Sequence, residues 1–446
     1  MNMNNFTSYF DDINCCKNEN IECNESQSHI IRINLSESIK TEMKDNFSLG
    51  TFLNQFPALE WLDISNNGLS GDLIIPYNTT LVELDASENS FNGKFVIPDN
   101  FEIETFFSNG ESKLRILNIN ENRFKGNLII PKNSPLTILK ADNNHFNGSL
   151  NIGENKNLEE LYINNNEFKG DLIIPENSSL VLLGASYNHF SGNLNIGENT
   201  KLKKLYISYN EYKGDLIIPK NSPLVLLEAN YNHFDGNLYI GENTKLEELY
   251  INNNELKGDL IIPKGSALVK LEANYNHFDG HLYIGESTKL EELYINNNEL
   301  KDDLIIPKNS ALEKLIRINY MLIYLILEAN YTRFDGNLYI GENTKLKELY
   351  INNNELKGDL IIPKNATLVK LFLRNNKFKS YPCDHEIEND FPDCHFNLIN
   401  FIFIAIPFVT VIIICFVVVM IKKIGKKNEK NDEETDELAI KIEDHN

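Results

Sequence analysis

The sequence has little positive charge and no recognisable catalytic motif. Its 446 residues include 42 lysines and arginines against 64 aspartates and glutamates, so the formal net charge is −22. Because phosphate repels a surface of this sign, a nucleic-acid partner is not expected. Carboxylates are plentiful, but none stands beside a base or a nucleophile at a spacing that is typical of catalysis. The sequence therefore argues against an enzyme and against a bound cofactor.

One phrase of the sequence occurs three times. KLEELYINNNELKGDLIIPK occupies residues 245–264 and returns at 289–308 and 345–364, with Asp302 in place of a glycine and Lys347 in place of a glutamate. Each copy belongs to a 22-residue unit of the pattern L-x-x-L-x-[IA]-x-x-N-x-[FL]-x-G-x-L-x-I, and thirteen of fourteen units keep the asparagine. The chain is therefore predicted to be a stack of repeats. The leucines that open the units are Leu59, Leu81, Leu114, Leu136, Leu158, Leu180, Leu202, Leu224, Leu246, Leu268, Leu290, Leu312, Leu346 and Leu368.

The alternation inside each unit predicts a short strand. In the segment LYI, Leu249 and Ile251 point inward and Tyr250 points outward, as a strand requires. One unit cannot close a core, but stacked units bury each other's leucines. The asparagine stands where the chain leaves the strand, so its amide can bond backbone groups that the turn would leave unpaired. The glycine that follows, as at Gly214 and Gly258, suits a tight bend.

These units resemble the leucine-rich repeat family over residues 30–380. The phrase G-x-L-x-I-P is similar to that of the plant-type subclass, although the units here are shorter and alternate ones read LYIGENT without the proline. The resemblance implies a repeat solenoid, the leucine-rich repeat horseshoe, with a parallel β-sheet on its concave face and a second short strand in each unit. The alternation makes the true period a 44-residue pair and favours duplication within the gene.

The regular spacing of four histidines does not predict a metal site. His145, His189, His233 and His277 each stand in the triplet NHF, 44 residues apart. Two strand spacings therefore separate neighbouring rings by about 10 Å. A metal ion needs its ligands at about 2 Å from itself, so these rings cannot share one.

The outward row of the predicted sheet is the candidate ligand-binding surface. Its central column carries tyrosines from alternate units, and between them stand Gly184, Glu228, Glu272 and Glu328. A flanking column is mostly acidic, with Lys204 as its basic member. Tyrosine offers an apolar ring with a polar tip and is common at interfaces. Such rows could hold a peptide with basic groups or stack on sugar rings, whereas an unselected ladder copied by duplication is the alternative. The candidate residues are Tyr162, Tyr206, Tyr250, Tyr294, Tyr350, Glu228, Glu272, Glu248 and Glu292.

Residues 399–421 form a run of 23 residues without a charge, which is long enough to cross a bilayer as a helix. Lysines 422, 423, 426 and 427 follow directly, while the preceding flank DHEIENDFPDC is acidic. Because positive charge stays on the cytoplasmic side, the solenoid is expected outside the plasma membrane and the C-terminus in the cytoplasm. A buried core helix is the alternative interpretation of this run.

The six cysteines lie outside the repeats and agree with an oxidising location. CCKNENIEC, followed by HIIRINL, resembles the amino-terminal cap of plant-type leucine-rich repeat receptors, and CDHEIENDFPDC resembles a carboxy-terminal cap. By that resemblance Cys16 would bond Cys23, and Cys383 would bond Cys394. Caps of this kind shield the apolar ends of the stack from water.

The chain opens MNMNNFTSYFDDIN, without the apolar run of a signal peptide. Cys15 also lacks the upstream partner that the resemblance implies. Both features predict that the first residue lies inside a longer gene product. The alternative is insertion by the C-terminal anchor alone, which would leave the solenoid in the cytosol. Nine N-x-[ST] triplets give mild support to exposure of the solenoid to glycosylation.

Two excess segments interrupt the 22-residue step. The first adds 11 residues around 101–111 and is predicted to be a surface loop. The second adds 12 residues near 316–327, IRINYMLIYLIL, and is too apolar for an ordinary loop. A bulged extra strand, a partner-contact patch and an error in the gene model remain as its interpretations.

Five segments follow from these features: an N-terminal cap (1–29), a solenoid of about 14 repeats (30–380), a C-terminal cap (381–398), a transmembrane helix (399–421) and a short disordered tail (422–446). The layout resembles receptor-like proteins that have no kinase domain. That resemblance implies a protein, peptide or glycan ligand on the concave face and a kinase-bearing co-receptor. The alternatives are an adhesion or cell-wall-contact protein, a tail-anchored cytosolic scaffold and an inhibitor of wall-degrading enzymes.

Overall fold

The structure is a computed structural model. It describes residues 15–39, 47–98, 112–152, 155–175, 177–196, 201–242, 245–286, 289–308, 311–312, 314–316, 334–342, 345–363, 366–380 and 387–389. The predicted membrane helix and tail, the 101–111 loop, Cys383, Cys394 and nearly all of the 316–327 segment lie outside these residues. Among the helices that are described, none combines the length and the apolar character needed to cross a membrane.

Short strands, one from each predicted unit, pair into a long sheet. Leu249 pairs in parallel with Leu227 on one side and Leu271 on the other, so neighbouring strands are offset by one unit. Among the described strands only the first runs antiparallel to its neighbour. The predicted parallel-sheet solenoid is confirmed. The strands of the long sheet are Ile21–Cys23, Ile30–Asn34, Trp61–Asp63, Glu83–Asp85, Ile116–Asn118, Ile138–Lys140, Glu160–Tyr162, Leu182–Gly184, Lys204–Tyr206, Leu226–Glu228, Glu248–Tyr250, Lys270–Glu272, Glu292–Tyr294, Lys314–Ile316, Glu348–Tyr350, Lys370–Phe372 and Glu388–Asn389.

A second set of short strands lies further along the units, mostly within the phrase L-x-I. They pair in parallel with the next unit, as Ile217 does with Tyr239. The middle residue of each L-x-I strand is exposed to solvent. The exposed fraction is 49% for Ile217 and 50% for Tyr239. These strands are Ser70–Ile74, Ser90–Val96, Leu128–Ile129, Leu150–Asn151, Lys169–Gly170, His189–Gly192, Glu211–Tyr212, Leu216–Ile218, Leu238–Ile240, Leu260–Ile262, Leu282–Ile284, Leu304–Ile306, Leu338–Ile340, Lys357–Asp359 and Lys377–Ser380.

The helices of the described chain are short and lie near its N-terminal end. The α-helix Leu49–Leu53 is capped by Ser48. A 3₁₀ turn, Cys15–Lys17, precedes the first strand. Cys16 and Cys23 form a disulfide whose Cα atoms are 5.6 Å apart, which ties this turn to the first strand.

The core is a set of columns, one residue from each unit. Leu246, Leu268 and Leu290 are fully buried, as the repeat pattern predicts. A column of phenylalanines runs beside them, and the ring of Phe168 stacks between those of Phe146 and Phe190 at centroid distances of 5.7 and 5.8 Å. Each buried leucine or phenylalanine stabilises the fold by about 1.5–3 kcal/mol relative to an exposed one. Because these contacts run between units, neighbouring units stabilise one another.

The repeated asparagine forms a buried hydrogen-bond ladder. The Nδ2 atom of Asn232 donates to the carbonyls of Ile207, Ala229 and Asn230 at 2.9, 3.3 and 3.3 Å. Its Oδ1 atom accepts the backbone N–H of Tyr212 at 3.4 Å. One side chain therefore pairs the backbone of two consecutive units, which confirms the role expected for this position.

The repeated glycine has the backbone conformation that its position requires. Gly214, Gly258 and Gly358 have φ angles of +76°, +77° and +84°. A Cβ atom at Gly258 would lie 2.5 Å from the side-chain oxygen of Asn237. Asp302, which replaces the glycine in the second copy of the phrase, has a φ of +62°. L-residues other than glycine adopt this region at a cost of about 1–2 kcal/mol.

Candidate ligand-binding face

The open face of the long sheet, defined here as the side opposite the buried leucines, carries every predicted ligand-binding residue. In strand Glu248–Tyr250 the middle leucine is buried, while the residues on either side are half-buried. The same holds for each predicted position. The half-buried residues are Tyr162, Tyr206, Tyr250, Tyr294, Tyr350, Glu228, Glu272, Glu248 and Glu292.

Tyrosines of the open face are held by acidic residues of their own strands. The hydroxyl of Tyr162 donates to Glu160 Oε2 at 2.8 Å, and that of Tyr250 donates to Glu248 Oε2 at 2.7 Å. Burial, together with the bond to Glu248, raises the pKa of Tyr250 to about 12. Burial and the bond to Glu160 raise the pKa of Tyr162 to about 12. The hydrogen bonds to these carboxylates thus fix the direction of both rings.

The register of the sheet places acidic residues between the tyrosines. Tyr250 pairs by its Cα with Glu228 on one side and with Glu272 on the other. Glu272 in turn pairs with Tyr294, and Glu228 pairs with Tyr206. From Tyr206 to Tyr294 the central column of the open face therefore alternates an aromatic ring and a carboxylate at each strand spacing, about 4.8 Å. Beyond that stretch the alternation does not continue: Gly184 stands before Tyr206, and Ile316 pairs with Tyr294 and Tyr350, so the place expected for Glu328 is wrong.

Lys270 lies between two of these tyrosines. Its Nζ atom is 5.4 Å from the ring centroid of Tyr250 and 5.5 Å from that of Tyr294, which is within cation–π range. The same atom lies 3.0 Å from Glu272 Oε1 and 3.6 Å from Glu292 Oε2. Burial alone would lower the pKa of Lys270, but the hydrogen bond and charge of Glu272 raise it above its usual range. The ammonium group of Lys270 is therefore bound by two aromatic rings and two carboxylates of the same chain.

Glu272 has a second partner besides Lys270. The Nδ2 atom of Asn252 donates to Glu272 Oε2 at 3.0 Å. With only 26% of its side chain exposed, Glu272 is thus satisfied by one cation and one amide. A partly buried charge needs such partners, because removal from water is costly unless hydrogen bonds replace it.

Glu228, which occupies the same position one 44-residue pair earlier, has neither partner. Leu226 stands where Lys270 would be, and Ser208 stands where Asn252 would be. Within the described residues no hydrogen bond or ion pair reaches the Glu228 carboxylate. Burial raises its pKa, and the charges of Glu248 and Glu272 raise it further. In the described part of the chain, Glu228 is therefore a carboxylate of the open face that lacks both a counter-charge and a hydrogen-bond donor.

The chain also matches a family model in sequence. Residues 58–77 match the model described as Leucine Rich Repeat. This stretch covers the unit that opens at Leu59, and the same buried leucine and asparagine columns recur along the stack. Residues 58–77 thus form a leucine-rich repeat, and the stacked units of the described chain fit a leucine-rich repeat protein. No match was found among curated protein sequences.

Several solved structures are similar to this chain. The protein is 22% identical to PEPR1, crystallised with AtPEP1; the match covers 84% of this chain and 64% of that one, with a TM-score of 0.45. It is 20% identical to the ectodomain of the receptor kinase GASSHO1/SCHENGEN3 from Arabidopsis thaliana, covering 82% and 50%, with a TM-score of 0.43. It is 21% identical to a leucine-rich repeat protein of Leptospira interrogans, covering 77% and 98%, with a TM-score of 0.43. The chain thus spans less than two thirds of the first two proteins.

The leucine-rich repeat carries a second row of tyrosines that the repeat pattern does not single out. The rings of Tyr187 and Tyr209 stack at 4.2 Å between centroids, and those of Tyr209 and Tyr231 stack at 4.4 Å. Each precedes the ladder asparagine and has a φ between 54° and 57°. Most other units have asparagine or glutamate at this left-handed position. Three consecutive units with tyrosine there were the feature of the sequence from which this stack could have been predicted. The stack forms an exposed aromatic strip of three units.

The four recurrent histidines of the repeat each face an acidic residue of the next unit. His189 Nδ1 lies 2.8 Å from Glu211 Oε1, and His145 Nδ1 lies 3.1 Å from Glu167 Oε1. His233 and His277 have the corresponding partners at 3.3 and 3.5 Å. All four rings are about half exposed. Their regular spacing thus reflects one inter-unit contact that is repeated with each 44-residue pair.

Proposed function

We propose that this leucine-rich repeat protein is a non-enzymatic receptor-like protein that binds a protein, peptide or glycan ligand on the open face of its long sheet. The observation that carries the proposal is the alternating column of half-buried tyrosines and carboxylates along consecutive strands. Their rings are partly accessible, and hydrogen bonds within the strands hold them in place. A fixed aromatic surface loses little conformational entropy when a ligand binds.

The charge of the chain favours a basic or neutral ligand. The formal net charge is −22, and the open face concentrates glutamates among its tyrosines. Electrostatic complementarity of this kind speeds association and disfavours acidic partners. A ligand with basic side chains is therefore the first candidate, with a glycan that stacks on the tyrosine rings as the second.

The proposal includes a single membrane span at residues 399–421, with the repeats outside the plasma membrane. The span is supported by its 23 uncharged residues, and the orientation is supported by the lysines that follow it. A kinase-bearing co-receptor is part of the proposal because the layout resembles that of receptor-like proteins.

Topology is tested by glycosidase treatment. Asn78, Asn147 and Asn177 stand in N-x-[ST] triplets and are exposed. Repeats outside the membrane should carry glycans, so the full chain should gain mobility on a gel after treatment. Substitution of these three residues by glutamine should reduce that shift. A chain with no shift at all would instead support the tail-anchored cytosolic alternative.

Ligand binding is tested with arrays of synthetic peptides and glycans applied to the full chain. Tyr250→Ala combined with Tyr294→Ala removes two rings of the open face and should weaken binding by about tenfold or more. The matched control combines Tyr239→Ala with Tyr283→Ala, since these tyrosines lie on the second set of strands and are each 50% exposed. Binding that survives the first pair unchanged would contradict the proposal.

An adhesion function is the second candidate, and one observation favours it. The second set of strands presents a regular row of exposed apolar side chains, which includes Ile217, Tyr239, Ile261, Tyr283 and Ile305. Apolar rows of this length mark interaction surfaces on many proteins. Cell attachment that is lost in the Tyr239/Tyr283 variant but kept in the Tyr250/Tyr294 variant would favour adhesion.

A further inference from the structure

The two halves of the open face around Tyr250 are near copies in which Leu226 replaces Lys270 and Ser208 replaces Asn252. On one side lie Glu272 and Tyr294, and Lys270 binds between the two tyrosines. On the other side lie Glu228 and Tyr206 in the same register. The copy that holds the ammonium shows what this arrangement of residues binds. The other copy has the same rings and carboxylate but no basic side chain.

We propose that Tyr206, Glu228, Glu248 and Tyr250 bind the ammonium group of a lysine side chain on a protein or peptide ligand. The ligand's ammonium takes the place that Lys270 holds one 44-residue pair further along. This inference rests on the proposed function and names the chemistry that the open face recognises. We call these four residues the ammonium site.

The residues around the ammonium site favour an external cation. Leu226 pairs by its Cα with Glu248 and Lys204, so an apolar side chain separates the acid from the nearest basic residue on that edge. Lys204 is exposed and forms no ion pair within the described chain. The charges of Glu248 and Glu272 both act on Glu228. A cation placed between Tyr206 and Tyr250 would relieve this repulsion.

Lysine fits this site better than a metal ion or an arginine. The internal example is a primary ammonium that contacts two ring faces and two carboxylates. An ammonium is a compact point charge with three rotatable donors, so it can share them between Glu228 and Glu248. Tyrosine faces add cation–π attraction, which a strongly hydrated divalent ion would not gain.

The chain offers its own blocking variant. Leu226→Lys places a lysine where Lys270 stands in the copy, so its ammonium should fill the site from within. Leu182→Lys is the matched control, since Leu182 holds the same strand position one 44-residue pair earlier but its neighbour is Gly184 rather than a glutamate. Both variants add one positive charge to the open face, so they separate occupation of the site from a general change in charge.

The probe is the peptide acetyl-Ala-Lys-Ala-amide, observed by ligand NMR with the full chain. Its partner, acetyl-Ala-norleucine-Ala-amide, has a side chain of similar length without the ammonium. We expect the lysine peptide alone to bind, and Leu226→Lys to weaken that binding by about tenfold, whereas Leu182→Lys leaves it within about twofold. Glu228→Gln should weaken binding of the lysine peptide to a similar extent. This variant replaces Leu226→Lys in the experiment if the lysine variant does not fold. Equal loss in both lysine variants, or binding of the norleucine peptide, would overturn the ammonium site.

The thermal unfolding of the two lysine variants gives a second readout. Leu226→Lys should raise the melting temperature relative to Leu182→Lys, because only the former places its ammonium beside a carboxylate, Glu228, in the column between two tyrosines. No difference would contradict the site. Failure of this inference is distinct from failure of the proposed function. Tyr250→Ala with Tyr294→Ala could abolish binding of the array ligands while Leu226→Lys leaves binding of the lysine peptide unchanged. The protein would then be a receptor without the ammonium site.

Discussion

The ring of Tyr212 stacks on that of Phe234 with centroids 5.8 Å apart and planes 7° from parallel. Tyr212 thus continues the column of buried phenylalanines and is itself fully buried. Its hydroxyl finds no hydrogen-bond partner within the described residues. Burial raises the pKa of this tyrosine well above its usual value. Phenylalanine or leucine fills the corresponding position of the other units, so the hydroxyl of Tyr212 is a cost to stability.

Replacement of Tyr212 by phenylalanine should therefore stabilise the protein. The variant removes one buried, unpaired hydroxyl, and such groups cost about 1–3 kcal/mol. Thermal unfolding of the full chain should show a higher midpoint. The reverse change, Phe234→Tyr, places a hydroxyl in the neighbouring position and should lower the midpoint. A destabilised Tyr212→Phe would mean that the hydroxyl has a partner, such as a buried water.

The asparagine ladder gives a prediction of the opposite sign. Asn232→Ala leaves three carbonyls and the N–H of Tyr212 without their partner, so it should lower the free energy of unfolding by about 2–3 kcal/mol. Asn232→Asp keeps an acceptor for that N–H but loses the donors and buries a charge among carbonyls. It should be at least as damaging as alanine. Denaturant titration of both variants measures this, and an aspartate that is tolerated better than alanine would contradict the ladder.

The repeat pattern predicts the core more fully than the candidate site. A leucine that returns every 22 residues can be buried only if the units stack in register, so Leu246, Leu268 and Leu290 followed from spacing alone. The tyrosine and glutamate columns followed from strand alternation. The position of the Lys270 ammonium did not, because it depends on side-chain torsions and on partners in both neighbouring strands. The Tyr187–Tyr209–Tyr231 stack was missed because its turn position has no strand periodicity.

The unpaired state of Glu228 predicts a pH-dependent effect on stability. Its pKa is raised above the ordinary value of 4.5, so the native state prefers the protonated form and is penalised once the carboxyl ionises. Glu228→Gln should therefore raise the melting temperature at pH 7, and the gain should disappear at a pH well below the ordinary value. Glu272→Gln is the matched variant. It removes a partner of Lys270 and should lower the melting temperature at pH 7. Two variants with shifts of the same sign would contradict the difference between these glutamates.

The tyrosines of the open face predict the alkaline behaviour of the protein. Burial and hydrogen bonds to carboxylates raise the pKa of Tyr162 and of Tyr250 to about 12, against 10.0 for an ordinary tyrosine. The folded chain thus holds these protons more tightly than the unfolded chain does. Their contribution to stability is complete below pH 10 and is lost as the pH rises through 12. Absorbance at 295 nm should show tyrosines that ionise well above pH 10, and Tyr250→Phe should remove one of them. The same variant should make the free energy of unfolding less sensitive to alkaline pH. Ionisation of Tyr250 near pH 10 would mean that both the burial of its ring and its bond to Glu248 are absent in solution. The open face would then lack the fixed rings on which ligand binding is proposed to depend.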